Sequence, residues 1–139
     1  MKNRKKRKFV ILNVLIPILL GTILYYIISP DVIFVQKIEA LFGYSFHVEN
    51  LDINSFIMQF VRNYFLDMMW GYALVYALYL FTGNDTAELM KILIIAFIFS
   101  AIMEVLQLTP FVRGTFDIFD IIVEFLTEVS AVFIIKKYF

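Results

Sequence analysis

FVILNVLIPILLGTILYYII, from Phe9 to Ile28, is a run of twenty residues without a single charge, broken only by Asn13, Pro17, Gly21 and Thr22 among polar or helix-weakening types. At the 1.5 Å rise of an α-helix such a run crosses the ~30 Å hydrocarbon core of a bilayer. The six Lys and Arg residues between Lys2 and Lys8 precede it directly. A cleaved signal peptide also has a basic stretch before an apolar one. Here the apolar part is too long for one, and no small-residue cleavage site follows between Tyr26 and Pro30. A retained membrane helix is the expected reading.

The rest of the chain repeats that chemistry. Of its 139 residues, 62% are apolar, and mean hydropathy is +0.85, whereas soluble domains keep their apolar share near one half. Three further apolar segments predict spans at about 66–81, 92–108 and 118–135, joined by the turns TGNDTAE (Thr82 to Glu88) and TPFVRGT (Thr109 to Thr115). Short loops make the last three helices antiparallel neighbours. The expected fold is a single all-α membrane domain of four helices over residues 1–139.

Between the first two spans, residues 31–62 read differently. Val32, Ile33, Val35, Ile38 and Leu41 recur near helical spacing while Gln36, Lys37 and Glu39 point elsewhere, so an interfacial amphipathic helix is expected, ended by Gly43. ENLDINS (Glu49 to Ser55) supplies turn and cap residues before a second mixed segment from Phe56 to Tyr64.

Net charge is zero, yet the charges are segregated. With both ends in the cytoplasm, nine of the twelve Lys and Arg lie inside, namely the N-terminal cluster with Lys91, Lys136 and Lys137. Lys37, Arg62 and Arg113 are left outside, which satisfies the positive-inside rule. A multi-pass protein of the cell membrane, N-in and C-in, follows. The basic N-terminus reads as a topology anchor that attracts anionic lipid, not as a nucleic-acid arm. Cysteine is absent, which removes thiolate metal sites and disulfides, and His47 is the only imidazole. No metal site and no cofactor is expected.

Six acids fall in or at the mouth of spans: Asp67, Glu104, Asp117, Asp120, Glu124 and Glu128. A carboxylate at a helix centre costs ~2.5–3.5 kcal/mol on insertion scales, so these groups are ordinarily paired or face a wet cavity. Asp117, Asp120, Glu124 and Glu128 follow one another at three, four and four residues and form one stripe, with Thr127 and Ala131 beside it. On the preceding helix Ala96, Ser100 and Glu104 recur every four residues and Gln107 follows, a small-residue strip that admits a close neighbour. Counting rise per residue sets Glu104 and Glu124 in the same outer leaflet, level with Asp67 and Trp70. An outward-facing polar pocket is expected, with Arg62 and Arg113 partly neutralising its acids and Glu128, near the midplane, as a candidate proton site.

The segment EVLQLTPFVRGTFDIFDIIVEFLTEVSA, from Glu104 to Ala131, resembles the VanZ-like family of small membrane proteins. That family carries a Glu-x-x-Gln pair, a short loop with Arg, and an Asp followed by Asn and glycines. Glu104, Gln107, Arg113, Asp117 and Asp120 fit the pattern, and Arg62 to Leu78 is similar to the family's earlier helix, with Asp67 and Trp70 in place. Glu124 stands where the family usually has Asn, and Thr127 and Ala131 where it has Gly. The resemblance implies four or more spans and, for the namesake, low-level resistance to teicoplanin in Gram-positive bacteria.

Several functions stay open on these residues. The first is binding of a polar or cationic headgroup, a lipid-linked or cell-wall component, or a glycopeptide-type ligand. A membrane enzyme could instead use Glu104, Asp117 or Asp120 as acid or base on a lipid headgroup. The stripe from Asp117 to Glu128 could couple proton or ion movement, which in one short chain requires a homo-oligomer. A pure assembly role would make the acids a contact for a partner protein. Membrane lipids are the expected partners in every case, and nucleic acid in none.

Overall fold

The computed structural model describes residues 2–28, 33–43, 55–110 and 116–139, and all regular elements among them are helical. Helix α1 (Lys2–Ile28) carries the deciding run. Its interior Pro17 lacks an N–H, a defect that membrane helices tolerate. The donors of nearby polar side chains turn back on their own helix: Asn13 Nδ2 donates to Phe9 O at 2.9 Å and Thr22 Oγ1 to Ile18 O at 2.8 Å. Helix α2 (Ile33–Phe42) ends at Gly43, whose φ of +69° suits a residue without Cβ and whose N–H donates to Glu39 O at 2.8 Å. The Tyr26 hydroxyl donates to Glu39 Oε1 at 3.3 Å and so ties α2 to α1.

The second membrane helix begins earlier than the apolar pattern predicts. Helix α3 (Phe56–Phe60), capped by Ser55 Oγ accepting from Met58 N at 3.3 Å, passes through a π-helical turn (Val61–Phe65) into α4 (Leu66–Phe81) without a break. No Gly or Pro interrupts residues 56 to 70, so nothing stops the hydrogen-bond ladder, and the π turn absorbs the register change. Phe56 to Tyr64 therefore runs directly into that helix as its first part. The Glu49 to Ser55 turn lies, apart from Ser55, outside the described residues.

The α4 ladder closes with Gly83 at φ +73° and Asn84 at φ +64°, where Asn84 N–H reaches back to Tyr79 O at 3.1 Å. Asp85 caps the short 3₁₀ turn Thr86–Glu88 by accepting from Ala87 N at 2.9 Å, and α5 (Leu89–Leu106) leads away antiparallel. Helix α6 (Ile118–Tyr138) is capped by Asp117, which accepts from Phe119 N at 2.9 Å.

Three helical stretches, Arg4–Ile28, Phe56–Phe81 and Thr86–Leu106, are long and apolar enough to cross a membrane. Helix α6 has the length, at 21 residues. Its Asp120, Glu124 and Glu128 lower its apolarity. Large apolar side chains point outward along α1 and α5, including Leu15, Leu19, Ile23, Ile95, Ile98 and Ile102. Water would penalise such a surface, whereas lipid solvates it.

Helix α4 lies at the centre, packed on α1 along one side and on α6 and α5 along the other. Gly71 permits the α4–α6 contact: a Cβ there would stand 3.3 Å from both Glu124 O and Thr127 Oγ1. The apolar core, with Val10, Val75, Tyr76, Ile92, Ala131 and Ile135 among its members, fills the end of the bundle that carries both chain termini. There Lys6 Nζ and the Tyr79 hydroxyl each donate to Asn84 O at 2.9 Å, and the Phe9 ring lies 5.6 Å from that of Phe139. About two helical turns further in, the Tyr72 hydroxyl donates to Asn13 Oδ1 at 2.8 Å and sits 3.4 Å from the Tyr76 hydroxyl.

Candidate functional site

The far end of the bundle is built differently. Three helices bring carboxyl groups there: α4 contributes Asp67, α5 contributes Glu104 near its last turn, and α6 contributes Asp117 at its cap with Asp120 and Glu124 inside. The i, i+3, i+7 spacing on α6 gives its three acids one face, and Gly71 lets α4 come close enough to meet that face.

Glu104 organises the mouth. Its Oε1 accepts from Gln107 Nε2 at 2.6 Å, and its Oε2 faces the Asp117 backbone N–H at 3.5 Å, so one side chain links the end of α5 to the start of α6. Asp117 meets Phe119 N through Oδ1, while Oδ2 lies 3.5 Å from the Tyr64 hydroxyl, a long contact from the π-helical turn. Asp120 is in electrostatic reach of Asp67, Glu104 and Asp117, and Glu124 of Asp67, Glu104 and Glu128. Glu104 and Glu124 are both only 5% exposed.

Below the mouth, Ser100 Oγ donates to Glu128 Oε1 at 2.9 Å, with Glu124 beside the same hydroxyl. Asp120 Oδ1, Glu124 Oε2 and Glu128 Oε2 are buried oxygens without a hydrogen-bond partner among the described residues. Buried polar atoms are nearly always satisfied in native proteins, so three such oxygens along one stripe single out this face of α6 as the candidate site.

No family model, curated relative or solved structure matches this chain. Function is therefore read from the geometry of the site.

Of the residues expected at the pocket, Asp67, Glu104, Gln107, Asp117, Asp120 and Glu124 come together, and Glu128 follows one turn deeper. Trp70 does not join them. It is 47% exposed and, with Asp67, borders a groove between α1 and α4. Arg62 is exposed on the α1 side, beside Gly21, Leu24 and Ile28, and among the described residues it makes no ion pair with an acid. At 3.6 residues per turn, five residues set Arg62 about 140° round the helix from Asp67, so helical spacing alone does not put the two on one face. Arg113 and His47 lie outside the described residues. Among the described residues no three of His, Asp and Glu are arranged to hold a metal ion.

Two participants escape the sequence reading of the pocket. Ser100 is legible only as a small residue on a packing strip, and its role appears once α5 and α6 are placed in register. Tyr64 carries no signal at all, since nothing in its local pattern separates it from the lipid-facing aromatics.

Proposed function

We propose that this chain is a VanZ-like, multi-pass protein of the cell membrane whose acidic pocket opens to the extracytoplasmic face and binds a polar headgroup bearing a positive charge. In this reading α1, α3–α4, α5 and α6 all cross the bilayer, with both termini in the cytoplasm and α2 lying in the outer interface. Two observations support the topology. Both termini and the α4–α5 turn share one end of the bundle, and that end collects the basic residues.

The observation that carries the ligand class is Glu124 Oε2, without a partner among the described residues, on a side chain 95% buried and facing two other helices' carboxyl groups. Even with Arg113 counted against them, Asp67, Glu104, Asp117, Asp120 and Glu124 set five acids against one cation. A cationic group supplies both the missing donors and the missing charge. The family resemblance adds that the ligand is a lipid-linked, cell-wall or glycopeptide-type component.

Mass spectrometry of the molecules retained by purified protein tests this. Glu104→Gln and Asp120→Asn each lose the bound cationic species at unchanged membrane abundance. Full retention by both variants removes the reading.

A second reading, proton coupling, is favoured by Glu128, which is fully buried and continues the stripe inward from Glu124 with one oxygen open. Proton flux in vesicles reconstituted with the protein, lost in Glu128→Gln, supports it. Vesicles that stay proton-tight at every pH gradient discard it.

A further inference from the structure

Asp67 belongs to two places at once. On one side of α4 it is in electrostatic reach of Glu104 and Asp120. On the other it borders a groove of about 260 Å³ between α1 and α4, walled by Pro17, Ile18, Gly21, Met69 and Trp70. The groove is apolar except for Asp67, Thr22 and the indole N–H of Trp70, and the Thr22 hydroxyl is already bonded to Ile18 O. Its flank is the outward apolar face of α1, where Ile18, Leu19 and Ile23 are exposed.

We infer that the acidic pocket is loaded sideways from the bilayer, by an amine-bearing lipid whose hydrocarbon chain lies in the α1–α4 groove and whose ammonium reaches Asp67. This rests on the proposed headgroup-binding reading and narrows it from any cationic ligand to a membrane lipid.

The physical case has three parts. A soluble cation gains nothing from apolar walls, while a lipid chain fills them at no desolvation cost because it leaves an equally apolar solvent. A carboxylate at the edge of a lipid-facing groove is expensive unless a cation accompanies it. Asp67 supplies the electrostatic complement at the end of the groove nearest the pocket, and the buried open oxygen of Glu124 lies beyond it. Gly21 keeps the groove shallow-walled: a Cβ there would stand 3.0 Å from Leu66 Cδ1.

Trp70 is the only tryptophan, and it lines this groove. The experiment uses the full chain in phosphatidylcholine nanodiscs carrying either dibrominated stearylamine or dibrominated stearyl alcohol, with Trp70 fluorescence and retained amine both measured. The amine half-quenches Trp70 at about tenfold lower membrane fraction than the alcohol, a preference of ~1.4 kcal/mol. Asp67→Asn brings the two curves together. Thr22→Phe, on an exposed position, abolishes the preference by filling the groove, and Gly21→Leu does the same by another side chain.

Retention of stearylamine that depends on Glu124 but quenches Trp70 no better than the alcohol overturns the lateral route and leaves headgroup binding standing. A preference untouched by both groove-filling variants overturns it equally. An amine that is neither retained nor a better quencher removes the headgroup reading as well.

Discussion

The Ser100 hydroxyl on α5 donates to Glu128 Oε1 on α6 across 2.9 Å, with both residues at most 1% exposed. It is the deepest polar contact described between two helices that also pack apolar groups such as Ala96 and Ala131 in the core. Water does not reach it, so its loss cannot be made good by solvent.

Ser100→Ala therefore lowers the unfolding midpoint of the detergent-solubilised protein by the equivalent of about 1 kcal/mol, within the range of hydrogen bonds between membrane helices. Adding Glu128→Leu recovers part of that loss, because removing both partners leaves no orphaned acceptor. Denaturant titration in mixed micelles measures both. A double variant less stable than Ser100→Ala contradicts the assignment.

Glycine substitutions separate a packed contact from an open one. At Gly71 an added methyl meets the Glu124 backbone and Thr127 Oγ1 at 3.3 Å, and backbone does not yield. Gly71→Ala costs about 1–3 kcal/mol of stability, as overpacking does elsewhere. Gly21→Ala costs much less, since its nearest neighbour is the far end of the Leu66 side chain. Thermal unfolding of the two variants in one detergent compares them directly.

The absence of cysteine makes every introduced thiol unique. Ala87→Cys, exposed in the α4–α5 turn, is expected to resist membrane-impermeant maleimide in intact cells and to react after permeabilisation. Ser55→Cys, before α3, reacts from outside without it. The reverse pattern inverts the topology and moves the acidic pocket to the cytoplasm.

Much of this fold is legible in residue order, and the limits have physical causes. The charge-free run in α1 and the apolar run in α5 announce themselves because lipid rewards continuous apolarity. The acids of α6 share a face because helical spacing dictates it, and Glu104 with Gln107 share one on α5 for the same reason. The start of α3–α4 is hidden, because Arg62 and Asn63 look interfacial and a π turn breaks the count that pattern reading relies on. Arg62 lies beside α1, and among the described residues no carboxylate of the pocket meets it. The Ser100–Glu128 pairing depends on how far α5 and α6 are offset along their axes, which the connection between them sets and local sequence does not. Asn13 with Tyr72 is another contact of that kind, made by two residues 59 positions apart.

In the proposed outward-facing acidic pocket, the carboxyl groups attract cations to a thiol placed among them. Asp120→Cys, treated in intact cells with methanethiosulfonates of opposite charge, provides the reading, each rate normalised to a free thiol in solution. The trimethylammonium reagent modifies Cys at this position about tenfold faster than the sulfonate reagent, in line with electrostatic focusing in a charged cleft. Equal rates for the two reagents, or modification only after the cells are opened, would contradict an outward acidic pocket.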